Sequence, residues 1–179
     1  LSILPYPEEY VTGPVNIDST DITLIPIRPE DQHIWFVILD SCSRASIYSR
    51  FNHFFFWESH EIAIRFCYID YDREIAIVAE IEEEGEKKLI GVGRLISDPE
   101  HNTVEYAVLI TDQWQNREIG GYLTDYCMEI AEKWGLNKIV AQTTTDNHRM
   151  ISVFKKRGFQ LRFEDNSTTV FIEKEIGKK

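Results

Sequence analysis

Apolar residues in the first twenty positions follow no period. Pro5, Pro7, Gly13 and Pro14 interrupt them, so residues 1–20 read as an extended linker or N-terminal arm. Ile22 to Ile27 is a short β-branched strand stopped at Arg28-Pro29. Pro29 suits the first turn of a helix running to about Asp40. Further helices are expected at about Arg44 to Phe51 and, behind Phe54-Phe55-Phe56-Trp57, at about Ser59 to Tyr68. From Glu74 the pattern turns to strands. Ile75 to Ile81 and Leu89 to Ile96 flank the acidic turn Glu82-Glu83-Glu84-Gly85-Glu86 as a hairpin, and a third strand, Val104 to Ile110, follows Asp98-Pro99-Glu100-His101-Asn102.

The clearest helical pattern spans Arg117 to Trp134, where Ile119, Leu123, Tyr126, Cys127, Ile130 and Trp134 recur at three- and four-residue steps up to a stop at Gly135. Lys138 to Gln142 reads as a strand. Asp146 or Asn147 caps a last helix that turns Met150, Ile151 and Phe154 inward and ends at Gly158. Two strands, about Phe159 to Phe163 and Thr168 to Ile172, close the chain around a polar turn. Strands first, then βαβα and a final hairpin, predict an α/β fold: a mixed sheet with helices on both faces.

A chain of 179 residues supports one domain with a full core and gives no ground for two. No apolar run approaches the roughly 20 residues of a membrane helix, and no signal peptide is evident. The first residue is Leu1 rather than Met, which suggests a piece of a longer chain. The net charge of −11 argues against nucleic acid or an anionic membrane as partner and suits a cationic one, although solubility alone accounts for much of it. Cys42, Cys67 and Cys127 are odd in number and lack Cys-x-x-Cys spacing. Neither a disulfide framework nor a metal site is therefore expected, and reduced thiols in a cytoplasmic protein are.

The stretch from Thr103 to Gly121 carries the chemistry. Glu105 sits in mid-strand, and the turn Gln115-Asn116-Arg117-Glu118-Ile119-Gly120-Gly121 feeds a helix whose open N–H groups and dipole favour a phosphate. A carboxylate and an anion cradle within one strand-loop-helix predict group transfer from a phosphate-bearing carrier.

A Gln-x-x-x-x-Gly loop after a Glu-bearing strand, with Asn147 eleven residues before Gly158-Phe159, resembles the GCN5-related N-acetyltransferase (GNAT) superfamily over roughly Ile22 to Ile172. Ile27-Arg28-Pro29-Glu30-Asp31, Tyr48-Ser49-Arg50-Phe51, Ile69-Asp70-Tyr71-Asp72-Arg73-Glu74 and Asp98-Pro99 are similar to the acetyltransferase domain of Pat-type bacterial protein lysine acetyltransferases, often fused to an acyl-CoA synthetase-like region. The resemblance implies that residues 21–179 form one GNAT-like domain on a mostly antiparallel, twisted sheet of about seven strands. It further implies that acetyl-CoA is held along Val108, Leu109 and Ile110, at the loop Gln115, Asn116, Arg117, Glu118, Ile119, Gly120, Gly121 and Tyr122, and by Asn147. Glu105 matches the general base, and the acceptor is a protein lysine, with an acyl-CoA synthetase among the partners considered.

A free lysine, with a pKa of about 10.4, must lose a proton before it attacks a thioester, and a strand carboxylate such as Glu105 can take it. A pleated strand places Glu105, Ala107 and Leu109 on one face, and desolvation of a half-buried Glu would raise its pKa towards the working range. Two glycines of the superfamily loop are missing here. Asn116 tolerates the left-handed conformation better than other non-glycine residues, whereas Glu118 puts a negative charge beside the expected diphosphate. Phe154 replaces the Tyr that many relatives use as an acid and reads as core. Lys155-Lys156-Arg157 reads as an exposed helix end and Phe51 to Trp57 as core. Two other functions stay open: acetylation of a small amine, and a non-catalytic acyl-CoA-binding or regulatory domain.

Overall fold

The computed structural model describes residues 5–51 and 73–177. The helix expected at Ser59 to Tyr68 and the aromatic residues after Phe51 lie outside them. In chain order the elements are β1 (Val15–Ile17), β2 (Thr20–Pro26), α1 (Gln32–Asp40), α2 (Arg44–Phe51), β3 (Glu74–Glu83), β4 (Glu86–Ser97), β5 (Thr103–Ile110), α3 (Ile119–Lys133), β6 (Lys138–Thr144), α4 (His148–Lys156), β7 (Gln160–Phe163) and β8 (Thr169–Glu175). Among the described residues the sheet has eight strands in the order β1-β2-β3-β4-β5-β6-β8-β7. Every pairing is antiparallel except β5 with β6.

The eighth strand, β1, comes from the N-terminal arm. Asp18 and Ser19, with φ of 50° and 64°, make a two-residue turn that pairs Ile17 with Thr20. Asp-Ser lacks the glycine that usually announces such a turn. The arm is further held by Tyr6 Oη donating to the Pro26 oxygen at 2.7 Å and by Tyr126 Oη donating to the Tyr10 oxygen at 2.7 Å.

Alternation along the strands divides the core into two layers. On one face α3 and α4 bury Ile119, Leu123, Ile130, Ile151 and Phe154 against Leu95, Val104, Tyr106 and Ile139. On the other, α1 and α2 bury Ile38, Leu39 and Ile47 against Ala76, Val78, Val92 and Leu109. Each fully buried Ile or Leu contributes about 1.5–3 kcal/mol over exposure. In β5, Val104, Tyr106 and Ile110 enter the first layer and Leu109 the second. The face shared by Glu105, Ala107 and Leu109 is thus the α1–α2 face. Among the described residues, no helix is long and apolar enough to cross a membrane.

Candidate active site

Strands β5 and β6 pair only from Thr103–Lys138 to Glu105–Val140. Beyond that point β5 remains paired to β4 as far as Ile110, and β6 to β8 as far as Thr144, so the two strands diverge. A cavity of about 760 Å³ opens in the wedge, lined by Tyr106 to Ile110 on one side and Ala141 to Thr143 on the other. The edge of β5 past Glu105 has no ladder partner among the described residues. Apart from the Ile110 oxygen, which accepts from Gln115, its peptide groups are open to an extended ligand.

The loop beyond β5 finishes the wedge. Asn116 and Glu118 both take left-handed conformations, φ 61° and 65°, so the backbone keeps a glycine-like course without the glycines. This is also why α3 starts at Ile119 and not at Arg117. The Glu118 side chain makes no capping hydrogen bond, and Gly120 and Gly121 face the cavity at the α3 N-terminus, where N–H groups and the dipole favour an anion. Glu118 itself lines the cavity as an exposed negative charge. Gln115 turns inward: its Nε2 donates to the Ile110 oxygen at 2.9 Å and to Ser46 Oγ at 3.0 Å.

Helix α2 spans the wedge on the α1–α2 face. Ser43, Ser46 and Ser49 recur every third residue, which gathers them on one side of a helix, and all three line the cavity. At the β5 side, Asp112 Oδ1 accepts from the Ser43 amide and from Ser46 Oγ, both at 3.0 Å. At the β6 side, Ser49 Oγ lies 2.8 Å from Thr144 Oγ1. This serine stripe was readable in the sequence as a polar spacing, but its bond partners lie far along the chain.

Below α2 lies a group of charges. Arg94, 2% exposed, donates from Nη1 to Glu74 Oε1 at 2.7 Å. Arg50 forms part of the cavity wall, and its pKa is brought down to about 10, first by burial and then by Arg94, against the opposing pull of Glu105 and Tyr106. Glu105 is exposed among the described residues, where desolvation was expected, and it lines a second cavity of about 360 Å³ together with Gln142, Arg162, Phe171 and Glu173. Ala141 and Gln142 belong to both cavities. The register Glu105–Val140–Glu173 puts the two carboxylates on one sheet face with one strand between them.

Of the residues expected to hold the carrier, Val108, Leu109, Ile110, Gln115, Asn116, Glu118, Gly120, Gly121 and Asn147 line the large cavity. Arg117, Ile119 and Tyr122 are not among its lining residues. The Arg117 guanidinium stacks on the Trp114 ring at 4.8 Å, Ile119 is core at 1% exposure, and Tyr122 packs against the core. Asn147 caps α4 by accepting from the Met150 amide at 3.4 Å, and its Nδ2 donates to Thr143 Oγ1 at 2.9 Å. Phe154 is core at 2% exposure, edge-on to Tyr106 and Phe159. Lys156 lines the cavity, whereas Arg157 is tied to Asp125. Sequence reasoning missed the α2 residues, Tyr106, Thr143 and Asp146.

A parallel pair that splays behind a carboxylate, with a left-handed loop feeding a helix N-terminus, suits a thioester carrier with a diphosphate. The model of the acetyltransferase (GNAT) family matches residues 44–159, and the chain belongs to that family. It is an acetyl-CoA-dependent N-acyltransferase on a mixed α/β sheet of the GNAT fold. The fold matches the GNAT domain of the S. lividans PAT with a TM-score of 0.83 and 21% identity, over 96% of this chain and 100% of that one. Spermidine N-acetyltransferase from Vibrio cholerae, solved with CoA and spermine, matches with a TM-score of 0.67 and 17% identity, over 86% and 95%. The acetyltransferase PA5475 of Pseudomonas aeruginosa is 26% identical over 154 residues, 86% of this chain and 83% of that protein.

Proposed function

We propose that the chain acetylates the side-chain amine of a protein lysine by direct attack on acetyl-CoA, with Glu105 as the general base. The observation that carries this reading is the divergence of β5 from β6 immediately after Glu105, whose carboxylate lines the adjoining cavity that shares Ala141 and Gln142 with the wedge. In that arrangement the amides of Val108 to Ile110 meet the carrier's arm. A backbone N–H near Leu109 faces the carbonyl oxygen, and the loop from Gln115 to Gly121 takes the diphosphate. Glu105 removes a proton from the ammonium and leaves a nitrogen lone pair for attack. The thiolate, with an ordinary pKa near 8.5, leaves without a dedicated acid, which agrees with Phe154 in the core. The acceptor protein, an acyl-CoA synthetase among the candidates, comes from the likeness to Pat-type domains, and the cytoplasmic setting from the odd, unpaired spacing of the cysteines.

Glu105→Gln tests the reading. Turnover of acetyl-CoA should fall by roughly 10²–10⁴-fold, while calorimetry should find coenzyme affinity nearly unchanged. Turnover within a few-fold of wild type would remove Glu105 from the mechanism.

A second reading, transfer to a small cationic amine, is favoured by the cavity that Glu105 shares with Glu173. Comparing initial rates on spermidine and on a lysine peptide separates the two.

A further inference from the structure

We propose that Ser49, Thr144 and Asp146 form a proton relay leading from the cavity wall to solvent. The proposal rests on the amine-transfer reading above. Thr144 Oγ1 donates to Asp146 Oδ1 at 2.6 Å, and a hydroxyl has a single proton to give. The 2.8 Å contact between Ser49 and Thr144 is therefore made with Ser49 donating. The chain of donors points one way. It starts at Ser49 on the cavity wall, passes through Thr144, which is 4% exposed, and ends on Asp146, whose carboxylate lies at the exposed rim. A tie between α2 and β6 needs only the first bond. The second bond continues it to a charged acceptor, and it is the shorter of the two, as a hydroxyl–carboxylate bond should be.

The reaction has a use for such a path. An ammonium that becomes an amide gives up two protons, and one carboxylate takes one of them. Glu105, on the adjoining cavity that shares Ala141 and Gln142 with the large one, accepts the first and returns it to water from its exposed carboxylate. The second moves from the acceptor nitrogen to Ser49 Oγ as the Ser49 proton moves to Thr144 Oγ1 and the Thr144 proton to Asp146 Oδ1. The electron pair of the broken N–H bond stays on nitrogen, both hydroxyls end as hydroxyls, and Asp146 releases its proton to water. The departing thiolate draws its own proton from solvent. Phe154, with no proton to exchange, cannot serve on the opposite wall.

The test is a pair of variants in the full chain, assayed by single-turnover consumption of acetyl-CoA with Nα-acetyl-lysine amide or spermidine, whichever the wild type uses faster. Asp146→Asn keeps an oxygen that accepts from Thr144 but removes the proton acceptor. Thr144→Val keeps the shape and removes the middle hydroxyl. Each should lower the rate constant by about tenfold to a hundredfold, the double variant should lose no more than either single one, and acetyl-CoA affinity should stay within twofold. Added imidazole, an external proton carrier, should restore Asp146→Asn in part and leave wild type unchanged. An Asp146→Asn rate within twofold of wild type overturns the relay, as does a loss that imidazole leaves untouched. Asp146→Asn decides alone if Thr144→Val does not fold. Loss in Asp146→Asn with full turnover in Glu105→Gln overturns the Glu105 reading and keeps the relay. No wild-type turnover on either amine overturns both.

Discussion

Gln115 Nε2 donates to the main-chain oxygen of Ile110 at 2.9 Å, so the residue that opens the loop before α3 also closes the last carbonyl of β5. The same nitrogen reaches Ser46 at 3.0 Å and thereby fixes α2 to both. Gln115→Leu leaves the Ile110 oxygen and Ser46 without this donor. An unsatisfied group of this kind costs about 1–3 kcal/mol. The expected outcome is a lowered urea midpoint together with weaker acetyl-CoA binding; a change in stability alone would separate the loop from the strand.

Glu118 holds φ at 65°, a conformation that costs a non-glycine residue about 1–2 kcal/mol. Glu118→Gly relieves that strain and removes a negative charge from the α3 N-terminus. At about 8 Å from a diphosphate the repulsion is roughly 0.5 kcal/mol in water and roughly 2 kcal/mol at an effective dielectric of 20. Acetyl-CoA should bind about twofold to thirtyfold more tightly, read by calorimetry, and the variant should melt higher. Weaker binding would mean that the Glu118 carboxylate contacts the ligand favourably.

The buried pair Arg94–Glu74 is expected to be costly to break from one side. Glu74→Gln exchanges the carboxylate that accepts from a guanidinium of 2% exposure for a neutral amide, and breaking a buried pair from one side costs about 3–5 kcal/mol. Glu74→Leu combined with Arg94→Met should recover most of it, because the desolvation of both charges disappears. Urea denaturation of the two variants gives the comparison.

Alkaline stability is set in part by thiols. Burial, then Asp112, pushes Cys42 up to about 12, and burial alone pushes Cys127 up as well. A thiol whose pKa rises on folding keeps its proton in the folded chain where the unfolded chain has lost it. Its contribution is intact below about pH 9 and declines as pH rises towards 12. Each thiol should remove about 1.4 kcal/mol of stability per pH unit across that window. Urea midpoints from pH 7 to 11 should show the decline, and Cys127→Ala should make it shallower; an equal slope in the variant would count against the assignment.

The fold was legible wherever local periodicity carried it. Helix α2 falls on Arg44–Phe51 as expected, and β5 puts Glu105, Ala107 and Leu109 on one face as its alternation required. The left-handed Asn116 follows from an intrinsic preference of Asn. The site was legible in its strand, its loop and Asn147 at the cap of α4. That Arg50 sits on the cavity wall, or that Glu105 opens into a neighbouring cavity, depends on where α2 crosses the sheet, and no spacing within one segment encodes that crossing. Similarly, β1 hinges on two left-handed residues, Asp18 and Ser19, whose side chains do not advertise the turn.

The bonds of α2 across the wedge bear on how the chain acquires its activity. Ser49 and Thr144 are 95 positions apart, and Ser46 and Gln115 are 69 apart. Contacts of such separation pay their loop-closure entropy before they return any stability, so they form slowly compared with the β3–β4 hairpin. Competence to bind the coenzyme is then a late event in folding. A newly made chain would have its hairpins and α3 in place before the pocket has its width, and acetyl-CoA, binding only the finished form, would pull the last step to completion.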